Sequence, residues 1–154
     1  MKALSLWQPW AQLVVLGWKP WETRTWSTTH RGALVIHAAK RAPARPQDLE
    51  FDDGGLLERI YSRLAAAGCP RAALPRGALI GGCILDEVVR TEYLIDDPDR
   101  RPPAAELELG NFCPGRFAWR LGSTTRVDRP VPWRGFQGLF DVPGDWAERR
   151  MGPA

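Results

Sequence analysis

LSLWQPWAQLVVLGWKPWETRTWSTTHRGALVIHAAK, residues 4–40, is the stretch that decides the fold. Residues 3–7 have the composition of a short strand, and Pro9 then stands where the first turn of a helix tolerates proline best. The next residues repeat at the i, i+3, i+4 and i+7 spacing of one helix face: Trp10, Leu13, Val14 and Gly17. Because glycine often ends helices, Gly17 predicts the C-terminal stop of a buried helix of about two turns.

Residues 17–26, GWKPWETRTW, predict an extended segment after this helix. Pro20 bars helix continuation, and the threonine and tryptophan content favours a strand. Since side chains alternate along a strand, two sets would lie on opposite faces: Glu22, Arg24 and Trp26 on one, and Trp21, Thr23 and Thr25 on the other. Residues 33–40, ALVIHAAK, form a nearly continuous apolar run, which is typical of a strand covered on both faces and predicts the central strand.

A second helix and two loops are predicted further along the chain. Residues 56–67 carry apolar side chains at amphipathic helix spacing, and Gly68 predicts the end of this helix. Residues 40–55 and 96–111 are rich in proline, glycine and charge, which is the composition of exposed loops.

The other segments predict strands. The run 76–94 is rich in strand-forming residues, and Gly81 and Gly82 within it indicate a bulge or a sharp bend. Three short strands are predicted near the end of the chain: 116–121, 126–135 and 137–142. The fold class that follows is mixed α+β and mainly β, a small closed or nearly closed barrel of five to seven strands with two or more flanking helices.

Length and composition favour one soluble domain. A chain of 154 residues can bury a core large enough to need no disulfide or metal staple. The three cysteines are odd in number and lack C-x-x-C spacing, so we expect ordinary free thiols and no zinc site. No long apolar run and no signal-peptide pattern is present, and the expectation is a cytoplasmic protein, a monomer, without a membrane partner.

Charge is unevenly distributed along the sequence. Residues 1–45 carry seven Lys/Arg and only Glu22 as an acid, and residues 112–134 carry five Arg and only Asp128. Residues 46–111 are acidic, with thirteen Asp/Glu and seven Arg. If the basic segments meet in space, they form a surface suited to phosphates or a polyanion. The alternative is a chain that uses arginine throughout.

Four blocks of the sequence together resemble one known family, and the first, residues 4–40, contains G-x-K-x-x-E-x-R and R-G-x-L-x-I-H-A. The others are RGALIGGCILDEV (76–88), LGNFCPGRFAWRL (109–121) and PVPWRGFQGLFDV (130–142). These blocks resemble the ASCH domain family of the PUA-like superfamily, over nearly the whole chain apart from the two loops and the last few residues. The resemblance implies a PUA-like β-barrel over residues 1–146 and a short tail at 147–154.

The polar residues of the first block form the candidate site. Lys19 lies just before the strand that carries Glu22 and Arg24 on one face, so an amine, a carboxylate and a guanidinium can converge. Such a cluster can bind an anion or recognise a polar base edge. The alternative is an exposed strand with an ordinary salt bridge. The resemblance favours the first interpretation, since ASCH members are thought to line a ligand cleft with these positions.

Further candidate ligand contacts flank this cluster. Trp21 and Trp26 could each offer a ring on which a base stacks, with core packing as the alternative. Arg31 and Arg116 are candidate phosphate contacts, or else solvated turn arginines. His37 lies in an apolar strand, where a neutral, hydrogen-bonded core histidine is the more common outcome. Trp10 and Trp119 are expected to be core residues.

Two classes of function remain open on the sequence. One is an RNA-binding or modified-nucleoside-binding module, as PUA-like folds commonly are. The other is a metal-free hydrolase, either a ribonuclease or an amidohydrolase acting on acylated cytidine, in which Lys19 and Glu22 would be the catalytic residues. Some family members are thought to use a Lys, a Thr and a distant Glu for the amidohydrolase reaction, and here Glu22 stands at the position of the threonine. No cofactor and no metal is expected in either case.

Overall fold

Six strands and four helices make up the computed structural model, which describes residues 1–41 and 55–148. Its strands are β1 (Lys2–Leu6), β2 (Trp21–Arg24), β3 (Gly32–Ala38), β4 (Ala78–Arg90), β5 (Phe117–Pro132) and β6 (Leu139–Asp141). Its helices are α1 (Trp10–Val15), α2 (Leu56–Ala66), α3 (Thr91–Asp96) and α4 (Ala104–Leu107), with one 3₁₀ turn at Arg71–Ala73. Parts of the predicted loop 40–55 and of the predicted tail 147–154 lie outside the described residues.

The strands form one six-stranded sheet in the order β2-β5-β4-β3-β1-β6. Strands β1 and β3 are parallel, and the other neighbours are antiparallel. The sheet curls into a half-barrel with the helices around it, and the predicted fold class is thereby confirmed. Strand β3 lies inside the sheet between β4 and β1, as its apolar sequence predicts.

The irregular strand pairings of the sheet all involve β4. The pairing of β4 with β5 shifts register between Leu79 and Gly81, and shifts again further along the strand. A Cβ atom on Gly81 would lie 2.1 Å from the carbonyl oxygen of Thr125, so only glycine allows β5 to approach this closely. Of the bulge or sharp bend predicted at Gly81 and Gly82, these register shifts confirm the bulge.

Two of the strand predictions are corrected by the structure. The segments 116–121 and 126–135, predicted as separate strands, are joined in the single 16-residue strand β5, which begins at Phe117 and ends at Pro132. The residues between them resemble a turn, but they pair with β4 across register shifts, and Ser123 adopts a positive φ of 47° there. Within the run 76–94, β4 ends at Arg90 and α3 begins at Thr91. Helix α4 lies within the predicted loop 96–111.

The main core lies between α1 and one face of the sheet. Its buried side chains come from every central strand and include Leu4, Val14, Ile36, Leu85 and Trp119. A second cluster joins α2 to the outer side of α1 through Leu13, Leu56, Ile60 and Leu64. These two contacts fix α1, and with it the turn that leads into β2. Within the described residues, no helix has the length and apolar character needed to cross a membrane.

Candidate functional site

Lys19, Glu22 and Arg24 form a continuous chain of charges at the start of β2. The Lys19 Nζ donates hydrogen bonds to Glu22 Oε2 at 2.5 Å and to the carbonyl oxygen of Trp21 at 2.6 Å. On the other side of the carboxylate, Arg24 Nε lies 3.4 Å from Glu22 Oε1. Arg24 Nη2 also donates to the carbonyl oxygen of Ser5 at 3.0 Å, which ties β2 to β1 across the half-barrel. The carboxylate is thus held between two cations.

The three side chains differ in their access to solvent. Their exposed fractions are 3% for Lys19, 12% for Glu22 and 26% for Arg24. Lys19 therefore lies behind Glu22, and Arg24 is the outermost member. Burial alone would raise the pKa of Glu22, but the charges of Lys19 and Arg24, the hydrogen bond from Lys19 and the charge of Arg116 together hold that pKa below its ordinary value. Glu22 is accordingly an ionised, acceptor-only group at neutral pH.

The lowered pKa of Glu22 predicts where acid acts on stability. The ordinary pKa of this carboxyl is 4.5, so its contribution is fully present above that pH and is lost as the pH falls through the lower folded value. The difference in unfolding free energy between wild type and Glu22→Gln should stay constant from about pH 8 to about pH 5.5 and change only below about pH 4.5. Urea denaturation of both proteins across this pH range measures the difference, in which the contributions of the other titrating groups cancel. A difference that already changes between about pH 8 and about pH 5.5 would mean a raised pKa and would contradict the ion-pair account.

Glu22 and Arg24 lie on the wall of a cavity of about 700 Å³ that we call the aromatic cavity. Aromatic rings form much of its boundary: Trp7, Trp10, Trp26 and Phe136. Its remaining lining comes from β1 and from the loop before β6: Leu4, Ser5, Leu6, Gln137 and Gly138. Two charged groups of opposite sign thus stand in a wall that is otherwise mostly apolar and aromatic.

Of the four flanking residues that the sequence singled out, only Trp26 lines this cavity. Trp26 lines it, and its ring packs edge-on against the core residue Trp119 with centroids 4.7 Å apart. Trp21 is not among the lining residues and contributes only its carbonyl oxygen, to Lys19. Arg31 is exposed and donates to two backbone carbonyls of its own turn. Arg116 does not line the cavity either, although its charge acts on Glu22.

Sequence reasoning missed part of the aromatic boundary. Trp7 and Phe136 are 42% and 51% exposed, which is unusual for such large rings, and both line the cavity. Trp10, expected in the core, packs against the cluster under α2 but also lines the cavity. The only sequence signal for Trp7 was its place in the LWQPW run. Nothing in the sequence connects Phe136 with residues more than a hundred positions earlier, because the pairing of β6 with β1 makes that connection.

The remaining reactive side chains form no metal centre in the part of the chain that the structure describes, where no group of three or more His, Cys, Asp or Glu could hold an ion. The three cysteines are free thiols, and burial, with the nearby Asp86, raises the pKa of Cys83 to about 12. His37 is 2% exposed and hydrogen-bonded through both ring nitrogens.

Comparison with known proteins agrees with this architecture. Residues 4–100 match the model of the ASCH domain. Activating signal cointegrator 1 from Homo sapiens and from Mus musculus are each 50% identical over 46 residues, which is 30% of this chain and 8% of either relative, so the chain matches only a small part of those proteins. A crystal structure of ASCH from Zymomonas mobilis has a TM-score of 0.54 at 16% identity, covering 96% of this chain and 90% of that chain. A point mutant of that protein gives the same TM-score and identity.

At 16% identity, the solved structures show a shared fold and nothing further. The family model, in contrast, spans more than half of the chain, from β1 through α3 and therefore across Lys19, Glu22 and Arg24. With its curled six-stranded sheet and its G-x-K-x-x-E-x-R turn, this chain belongs to the ASCH domain family.

Proposed function

We propose that this ASCH domain binds single-stranded RNA by taking one nucleobase into the aromatic cavity. The observation that carries the proposal is an ionised Glu22 fixed beside Arg24 in the wall of an aromatic-lined cavity of about 700 Å³. Volumes of about 300 to 1,000 Å³ with mostly apolar walls and a few convergent polar groups are typical of small-molecule sites.

The two charged groups suit the edge of a base. A carboxylate accepts hydrogen bonds from the amino group of cytosine or adenine, whereas a guanidinium donates to carbonyl oxygens and ring nitrogens. Trp7 and Phe136 are exposed enough to stack on the face of a base while Glu22 and Arg24 meet its edge. The cavity therefore offers both stacking and polar recognition.

The position of Lys19 favours binding over hydrolysis. A nucleophile or general base must come within hydrogen-bond reach of the reacting atoms. The Lys19 amine lies behind Glu22, donates to two protein oxygens and does not line the cavity. Thr23 carries the hydroxyl group of β2. Its side chain is buried, and its Oγ1 accepts a hydrogen bond from the backbone N–H of Asn111 at 3.1 Å. Neither group is placed to attack a ligand in the aromatic cavity.

The test is a calorimetric titration with the four ribonucleosides and with single-stranded RNA octamers, at low and at moderate salt. We expect one nucleoside to bind better than the others, and octamers containing that base to bind more tightly, with an affinity that falls as salt rises. If no nucleoside and no octamer binds, the proposal is contradicted. Turnover of an acylated cytidine or cleavage of the octamers would instead favour the hydrolase alternative.

Stacking on Trp7 gives a separate prediction. Trp7→Ala should weaken nucleoside binding about tenfold, since base stacking on an aromatic side chain contributes about 1–3 kcal/mol. Tyr93→Ala is the matched control, because Tyr93 is 65% exposed and lines neither the aromatic cavity nor its neighbour. Titrations of both variants measure the effect. Equal losses in the two variants would show that Trp7 has no particular role.

A further inference from the structure

A second cavity of about 890 Å³ lies next to the aromatic cavity and shares part of its wall, namely Ser5, Trp7, Phe136 and Gln137. Its own lining contains four cations: Lys40, Arg41, Arg76 and Arg134. No acidic residue of 1–41 or 55–148 lines it, and we call it the cationic cavity. One pair of aromatic side chains, Trp7 and Phe136, therefore borders both spaces.

The four cations come from three separate segments of the chain. Lys40 and Arg41 follow β3, Arg76 precedes β4, and Arg134 follows β5. All four are exposed, and none forms a salt bridge with a carboxylate of residues 1–41 or 55–148. Arg134 lies over the Phe136 ring at 5.4 Å from its centroid, which directs that arginine toward the shared wall. Like charges gathered without a counter-charge from the described residues favour an anionic ligand.

Ser5 lines both cavities, and the direction of its hydrogen bond with His37 can be assigned. Ser5 Oγ is 2.5 Å from His37 Nδ1, and His37 Nε2 is 3.0 Å from the carbonyl oxygen of Trp133. A carbonyl can only accept, so Nε2 carries the proton and Nδ1 accepts. Burial lowers the pKa of His37, which keeps the ring in this neutral form near pH 7. The Ser5 hydroxyl therefore donates to His37, and its oxygen is left as an acceptor for the ligand.

We propose that the cationic cavity is a phosphate subsite, so that a ribonucleotide unit places its base in the aromatic cavity, its 2′-hydroxyl at Ser5 and its phosphate among the four cations. The inference rests on the function proposed above and extends it, because it makes the ligand a nucleotide chain and not a free nucleoside. An acceptor at Ser5 matches a donated 2′-hydroxyl, the group by which a protein distinguishes RNA from DNA.

The experiment compares the best-bound nucleoside with its 5′- and 3′-monophosphates and with the corresponding 2′-deoxy monophosphates, by calorimetry at low salt. We expect at least one monophosphate to bind about tenfold more tightly than the nucleoside, because hydrogen bonds between charged groups are stronger than those between neutral ones. In the double variant Arg41→Gln/Arg76→Gln, which leaves Arg134 on the Phe136 ring, this gain should disappear while nucleoside binding is unchanged. Ser5→Ala should remove any preference for the ribose over the deoxyribose form.

The control is Arg101→Gln/Arg129→Gln, which removes the same charge from exposed arginines outside both cavities. It should keep the gain. A loss of the gain in this control as large as in the cavity variant would mean general charge attraction and would overturn the subsite. Nucleoside binding without any gain from a phosphate would overturn the subsite and leave the proposed function standing. Failure of nucleosides, nucleotides and RNA alike would overturn the proposed function itself.

Discussion

Lys19→Met should lower the free energy of unfolding by about 3 kcal/mol or more, the range measured when one partner of a buried ion pair is removed. The physical reason is that Glu22 would remain 12% exposed with its carboxylate deprived of the 2.5 Å hydrogen bond from Lys19. Arg24 would still lie 3.4 Å away, which reduces the cost without replacing that hydrogen bond. Urea denaturation at pH 7 measures the change.

The same substitution at Lys2 is the matched control. Lys2 pairs with Asp141 at 3.0 Å, but its side chain is 41% exposed and that of its partner 76%. An exposed pair contributes about 0–1 kcal/mol, so Lys2→Met should change stability little. The double variant Lys19→Met/Glu22→Gln should recover part of the loss, because the buried carboxylate is gone and the charge that remains, on Arg24, is 26% exposed. Equal losses for Lys19→Met and Lys2→Met would show that the Lys19–Glu22 pair contributes no more to the free energy of unfolding than an exposed pair does.

Arg24→Ala should weaken binding of the preferred nucleoside about fiftyfold. Hydrogen bonds to a charged group contribute about 1.5–3 kcal/mol, and Arg24 is the outermost charged group on the wall of the aromatic cavity. Arg24→Lys should lose less, about tenfold, because it keeps the charge but loses the planar fork of donors. Lys19→Ala should also reduce RNA binding, though less than Arg24→Ala, since Lys19 acts only by holding Glu22.

Calorimetry with the nucleoside separates these variants, and thermal melts followed by circular dichroism establish that each is folded. Arg101→Ala, an exposed arginine outside the cavity, corrects for the change in net charge. If folded Arg24→Ala binds the nucleoside as tightly as wild type, the aromatic cavity is not the base site. If it loses affinity for RNA octamers alone, Arg24 acts on the phosphate and not on the base.

Much of the fold followed from local patterns. The apolar spacing of the first helix, the continuous apolar run of β3 and the paired glycines of β4 each depend on residues within one element, and the structure confirms the elements they predict. The prediction of separate strands at 116–121 and 126–135 was wrong. Turn-like residues between them remain in β5 because long-range pairing with β4 outweighs their local preference.

By itself the sequence determined the family and the charged motif at β2. Lys19, Glu22 and Arg24 are close together in the sequence, and the alternation of side chains along a strand places Glu22 and Arg24 on one face. Only the tertiary structure decided that Lys19 is buried behind Glu22, and that Phe136 and Ser5 border two adjoining cavities. The reason is physical. Alternation of side chains is a property of one strand, whereas a cavity wall is assembled by pairings such as β1 with β6, whose residues are distant in the chain and carry no local record of each other.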